Sequence, residues 1–226
     1  MSPTRLPAAS LLAVLTAVAT LAGNAHAESC GMGDIDWYAT ERANVARADE
    51  MLQEGDTQKA AWLLQRTWPR LREARPVESS LPVIAEGVRL MALAAVRSEG
   101  NVRSGHGWSS WTVQERSNNV SWGVARLRMI VAANPSSNTA KTDLGEALSR
   151  SAETQDEART ILESLEASQE ITSPQGFAAL AVVRSAAGEA GGAELATAEC
   201  ELHASNVDVQ CAAAIERIQP TLTATR

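Results

Sequence analysis

The sequence predicts an all-α protein built from helices that recur with a fixed period. Three observations point there. Apolar residues recur at spacings of three and four along most of the chain, which lines them up on one helix face. Alternating runs rich in Val, Ile, Thr and aromatics, the mark of strands, are missing. A small–large–large pattern returns every 35 residues: Gly123, Leu127 and Ile130, then Ala158, Leu162 and Leu165, then Ala193, Thr197 and Cys200. Composition agrees. Of the 226 residues, 45% are hydrophobic, enough to bury a core, but only 4% are aromatic. That core must be mostly Ala, Leu, Val and Ile.

Residues 1–27 read as an address, not as mature structure. Arg5 is their only Lys or Arg, and the apolar run 11–22 ends in Gly23-Asn24-Ala25-His26-Ala27. Ala25 and Ala27 fit a signal-peptidase site, with cleavage before Glu28. The run is 12 residues long, whereas a bilayer span needs roughly 20. Glu28-Ser29 precede Cys30, and Glu28 is not the small residue that a lipidation signal would carry there, so lipidation of Cys30 is not expected. No later segment is apolar enough to span a membrane. The basic residues are 18 Arg and 2 Lys; with the Ala richness, this suggests a GC-rich bacterial genome. The mature chain is therefore expected in the periplasm or secreted.

Helices are then predicted at 35–54, 57–73, 80–98, 119–134, 138–152, 155–169, 174–187, 190–204 and 207–218. Gly55-Asp56, Gly100 and Gly188 fall where helices should turn. Ser80 and Pro82 suggest one start. Asn134-Pro135 stops a helix, because the residue before a proline is driven out of the helical region. Thr154 and Glu157 have capping-box spacing. Ser173-Pro174 reads as an N-cap followed by proline at the first helical position.

The spacing resembles that of the tetratricopeptide repeat, whose period is about 34 residues. The best unit, 138–171, carries it through Leu144-Gly145, Leu148, Ala158, Leu162 and Leu165. The first unit, 41–74, matches at Ala48, Met51, Gly55-Asp56, Ala60 and Leu64. The last full unit, 174–205, matches at Phe177, Leu180, Ala181, Gly188 and Ala193. Leu144-Gly145 and Leu148 recur 36 residues on as Leu180-Ala181 and Arg184, the last a departure. The second unit departs further, with an insertion at about 100–118. The resemblance implies one domain over 28–226. It would be a right-handed superhelical stack of antiparallel helix pairs, with about three to four repeats plus a terminal helix. Stacks of this kind present concave surfaces to extended segments of partner proteins. A plain helical bundle with Ala-rich interfaces has similar local patterning.

Function classes narrow by exclusion and by one stretch of sequence. The net charge of -7 argues against nucleic acid as a partner. No phosphate loop, nucleophile elbow or zinc-protease motif is present, so no cofactor, metal or catalytic residue is expected. The insertion contains Arg103, His106, Trp108 and Trp111 among Gly and Ser. Two Trp in a polar loop suggest a recognition element, or rings packed back on Trp122. Charge is segregated: residues 59–128 carry 11 basic and 5 acidic side chains, whereas 129–226 carry 6 and 14. Arg126 and Arg128 extend the basic band towards an acidic partner, or that band pairs with the acidic ends. The candidate partner-binding set is therefore Trp108, Trp111, His106, Arg103, Arg126 and Arg128. Cys200 and Cys211 fall on successive helices and are expected to form a disulfide, leaving Cys30 over. The first functional expectation is an exported, non-enzymatic adaptor that binds a protein or peptide of the cell envelope. The second is a helical, glycan-acting cell-wall enzyme with Glu99 or Glu115 as its acid. Oligomeric state is left open.

Overall fold

A computed structural model of the protein describes residues 32–75, 82–103, 107–204 and 211–216. The signal-peptide reading, Cys30 and His106 lie outside them. The chain divides into two units, Met1–Trp37 and Tyr38–Arg226. Of the first, only the opening of one helix is described. All the other described residues belong to the second.

Eight α-helices run in order: α1 (Met32–Gln53), α2 (Thr57–Thr67), α3 (Pro82–Arg97), α4 (Val113–Ala133), α5 (Asn138–Leu148), α6 (Gln155–Ala167), α7 (Pro174–Ala186) and α8 (Ala190–Ala204). Residues 211–216 are also helical. A 3-10 turn, Ala152–Thr154, separates α5 from α6. No strand occurs among the described residues. From α2 onward each helix packs on the next, and α3, α5 and α7 also touch one another in sequence.

Burial divides the helices into two kinds. The inner helices α3, α5 and α7 are enclosed nearly all round. In α3, Val88 and every residue from Leu90 to Val96 are buried, and in α7 every residue from Gly176 to Val183 is buried. In α7 the sequence explains this, since apolar and small residues cover most of its length; α3 and α5 also bury charged side chains, which pair with one another. The outer helices bury only a stripe: Asn119, Gly123 and Leu127 in α4, and Ala158, Leu162 and Leu165 in α6. The 35-residue recurrence thus carries the buried stripe of one outer helix onto that of the next. In α8 the stripe shifts to Ala196 and Cys200.

Small residues set the spacing between rows. A Cβ on Gly123 would lie 2.8 Å from the Ala92 carbonyl oxygen of α3, and one on Gly145 would lie 2.7 Å from the Leu162 side chain of α6. Neither site has room for a methyl group, so α3–α4 and α5–α6 depend on glycine for their close approach.

Helix ends follow the sequence in part. Gly55, Gly100 and Gly188 all have positive φ. Gly100 also abuts the backbone of Arg116 in α4, so it is needed twice over. The Ser173 hydroxyl accepts from the Gly176 N–H at 3.2 Å, with Pro174 at the first helical position. Asn134 ends α4.

Three expectations are corrected. First, α2 stops at Thr67 instead of 73, because Trp68 precedes Pro69 and is extended, at φ -134° and ψ 92°. Second, α4 begins at Val113, six residues before the expected 119. A capping box starts it: the Glu115 N–H donates to the Thr112 hydroxyl at 3.1 Å, and the Thr112 N–H donates to the Glu115 carboxylate at 2.8 Å. Third, Thr154 and Glu157 form no such box. The Thr154 hydroxyl donates to the Leu148 carbonyl at 2.6 Å instead, which ties the 3-10 turn to the end of α5.

Candidate functional site

The connection between α3 and α4 is anchored from below. The Asn119 side chain, buried on α4, donates to the carbonyls of Gly100 at 2.9 Å and Ser109 at 2.7 Å, and accepts from Arg72 at 2.8 Å. Val102, Trp108 and Ser110 are buried. The Trp108 ring stands edge-on to Trp122, with centroids 4.8 Å apart. The Arg72 guanidinium covers Trp108 at 4.3 Å, and the Trp122 N–H donates to the Arg72 carbonyl at 3.1 Å. Arg126 completes the cluster: it donates to the same carbonyl at 3.2 Å and lies 5.6 Å from the Trp122 ring. Burial, with Arg75 nearby, holds the Arg126 guanidinium below its usual pKa. Trp108 is 5% exposed, so it is a packing residue of the folded chain. This corrects its place in the partner-binding set. Arg126 belongs to the same packed cluster.

Trp111 behaves differently. It is 76% exposed, and Trp62 on α2 is 53% exposed. Each carries an arginine on its ring: Arg103 lies 5.0 Å from the Trp111 centroid, and Arg66 lies 5.3 Å from that of Trp62. Arg103 also lines a shallow hollow of about 370 Å³ with Met51, Lys59, Trp62 and Leu63. It therefore links the two tryptophans into one surface patch that is both aromatic and cationic. Trp62 and Arg66 were missed as site residues. Their i, i+4 spacing on the polar side of an amphipathic helix was the available signal.

Arg128 is placed elsewhere. It is exposed and paired with Glu157 of α6 at 2.5 Å. It lines a groove of about 780 Å³ between α4 and the end of α5. The candidate set thus divides three ways: Trp111 and Arg103 on the patch, Trp108 and Arg126 in the packed cluster, and Arg128 at the groove.

Beneath the groove runs a polar seam that was not anticipated. Arg97 of α3 holds Glu146 of α5 through two bonds, at 2.8 and 2.7 Å, and donates to the Leu52 carbonyl at 3.2 Å. Arg150 adds a longer contact to Glu146 at 3.4 Å. One turn of α5 earlier, Asp143 pairs with Arg89, which also holds Glu86. Burial alone would raise the Glu146 carboxyl, but the charges and hydrogen bonds of Arg97 and Arg150 outweigh it and hold the group below its ordinary value. For Asp143 burial wins over the attraction of Arg89 and Arg97, and the carboxyl is pushed up to about 6.

Glu115 does not fit its expected role as an acid. Its carboxylate accepts from the Ser109 hydroxyl at 2.7 Å and from the Thr112 N–H. These bonds hold it below the usual carboxylate range, hence ionised, and engage it as the cap of α4. The expected disulfide is present: Cys200 of α8 is bonded to Cys211, with Cα atoms 6.0 Å apart. Among the described residues no group of three His, Cys, Asp or Glu could hold a metal ion, and no helix is long and apolar enough to cross a membrane. No protein-family model, curated protein or solved structure matches the chain.

Proposed function

We propose that this protein is an exported, non-enzymatic adaptor of the tetratricopeptide-repeat type that binds a protein or peptide of the cell envelope. The binding element is the patch formed by Trp62, Arg66, Arg103 and Trp111. The observation that carries the reading is the exposure of two tryptophans, each under an arginine and joined through Arg103. Exposed Trp and Arg are the residues that most often dominate binding energy, and nothing in folding requires them at the surface. Lys59 is paired with Asp56, so Arg66 and Arg103 make the patch cationic, and the segment it fits is acidic and contains apolar side chains. The Cys200–Cys211 bond supports an oxidising compartment, and the leader-like residues 1–27 agree with export.

Site-specific photo-crosslinking in intact cells tests both claims. A crosslinking side chain at position 62 or 111 should capture one discrete protein. The same group at Leu195, exposed on α8, should not, and Arg103→Glu should abolish capture from position 111. N-terminal sequencing of the recovered protein should begin near Glu28. Capture that is equal at all three positions would rule out the patch, and a chain retaining Met1 would rule out the cleaved leader.

A further inference from the structure

Helix α4 has two working faces. One is the buried stripe of Asn119, Gly123 and Leu127. The other lines the groove of about 780 Å³ between α4 and the end of α5. That second face is open: Ser117 and Ser121 are exposed on it, with Val120 and Val124 half-buried between them. It begins at Val113, which is 74% exposed, and ends at Arg128. A rise of roughly 1.5 Å per residue makes it about 22 Å long. A run of valines left at the surface over that length marks an interaction surface.

Size and charge both make this face complementary to itself. Towards the C-terminus it runs Ser117, Val120, Ser121, Val124, and in the opposite direction it runs valine, serine, valine, serine. Two copies of α4 laid antiparallel, with a two-fold axis between Val120 and Ser121, therefore set every valine against a serine. Small against large lets the axes close to about 8–10 Å, the usual distance for packed helices. The arginines and glutamates at the groove balance, but their accessible charges lie on different walls. Arg116 and Arg128 stand on α4, and Glu99 and Glu153 stand off it. Arg128 is matched by Glu157 of α6. Arg116 has no carboxylate partner among the described residues and donates only to the Ser110 carbonyl, at 3.3 Å. Glu153 is exposed on the 3-10 turn and forms no ion pair among the described residues. The antiparallel register sets Arg116 opposite Ala125 of the other copy, in the half of the groove where α4 reaches α6 and where Glu153 lies. We propose that this face joins two copies of the chain, with their α4 helices antiparallel and Arg116 of each paired with Glu153 of the other. The same surface serves both sides, so the contact closes as a two-fold dimer.

Sedimentation velocity of the full mature chain tests this, over about a hundredfold range of concentration. The chain carries Cys30→Ser, which excludes a covalent link through that residue. It should dimerise reversibly. Arg116→Glu and Glu153→Arg should each weaken the dimer by about 10-fold or more, because each sets like charges together. The double variant with both changes should recover it, which loss of folding could not imitate. Ser121→Arg places a long charged side chain on the two-fold axis from an exposed position and should leave only monomer. Should Arg116→Glu fail to fold, as read by circular dichroism, Ser121→Arg and Glu153→Arg still decide, since both positions are exposed. A chain that is monomeric throughout overturns the proposal, whether the groove is then bare or filled by another protein. So does a dimer that survives Ser121→Arg, or a folded double variant that stays as weak as the single ones. These outcomes are separate from those for the aromatic patch, since no variant touches Trp62, Arg66, Arg103 or Trp111.

Discussion

Trp108 and Trp111 are three residues apart in the same short connection, yet one is 5% and the other 76% exposed. Their substitutions should part in the same way. Trp108→Ala removes a ring packed against Trp122 and Arg72, and should cost about 3–5 kcal/mol of folding stability. Trp111→Ala should shift stability by less than about 0.5 kcal/mol while weakening the partner by about 2 kcal/mol, roughly 30-fold. Urea melts of the two variants decide this. Matching midpoints would mean that the rings are not divided in this way. The sequence singled out the two rings but not which one faced inward. A connection without periodicity has no face to read, and the division depends on Asn119, which fastens the backbone at Gly100 and Ser109 from a helix that starts later. Arg103 could be singled out beside Trp111 because it lies in the same stretch. Trp62 and Arg66 were not, since only folding brings α2 beside the connection.

Among the elements, α4 and α5 each carry a lesson about patterns that look alike. Thr112-x-x-Glu115 and Thr154-x-x-Glu157 have the same capping spacing, but only the first closes. The second threonine is diverted to Leu148 because a 3-10 turn brings that carbonyl within reach, and local spacing cannot register such competition. Thr112→Ala should therefore cost about 1 kcal/mol and fray the first turn of α4, whereas Thr154→Ala should leave α6 intact. Amide exchange over residues 113–118 and 155–160 distinguishes the two. In α5, Asp143 and Glu146 lie on the face that meets Arg89 and Arg97 of α3. They were hidden in the sequence because charged residues on an otherwise apolar helix read as its solvated side. Asp143 gives a pH prediction. Its folded pKa, about 6, lies above the ordinary 3.8, so the native state holds the proton more tightly. Its contribution to stability is full below about pH 4 and is lost as pH rises to about 6. Asp143→Asn cannot lose it. Between pH 4 and 7 the variant should gain on the wild type by about 2–3 kcal/mol, read from denaturation midpoints at the two pH values. Glu146, held low by Arg97 and Arg150, is present in both proteins and acts in the opposite sense.

On the scale of the whole molecule, an all-helical chain in adjacent pairs was legible because it rests on periodicity, and periodicity survives in a single sequence. The 35-residue recurrence mapped buried stripe to buried stripe between α4 and α6. It lapsed in part in α8, where Ala196 is buried in place of Ala193 and Thr197 while Cys200 keeps its expected position, and a covalent bond takes over part of the work of packing. That bond closes a loop of about 12 residues, and in the chain-entropy model it is worth roughly 3 kcal/mol. Where the stabilisation is felt depends on how stability is distributed. Helices that touch mainly their neighbours in sequence, as these do, transmit a perturbation poorly along the row, because each interface contributes its own share. The double variant Cys200→Ala with Cys211→Ala should accordingly lose amide protection in α8 and residues 211–216, and to a lesser degree in α7, on which α8 packs. Protection of α3 and α5 should stay near its original level, because their enclosure by α4 and the Arg97–Glu146 pair does not involve the end of the row. Hydrogen exchange on the oxidised protein and on the double variant makes the comparison directly. A uniform fall in protection from α2 to α8 would show instead that the helices melt as one cooperative unit, and the neighbour-by-neighbour account of this fold would fail with it.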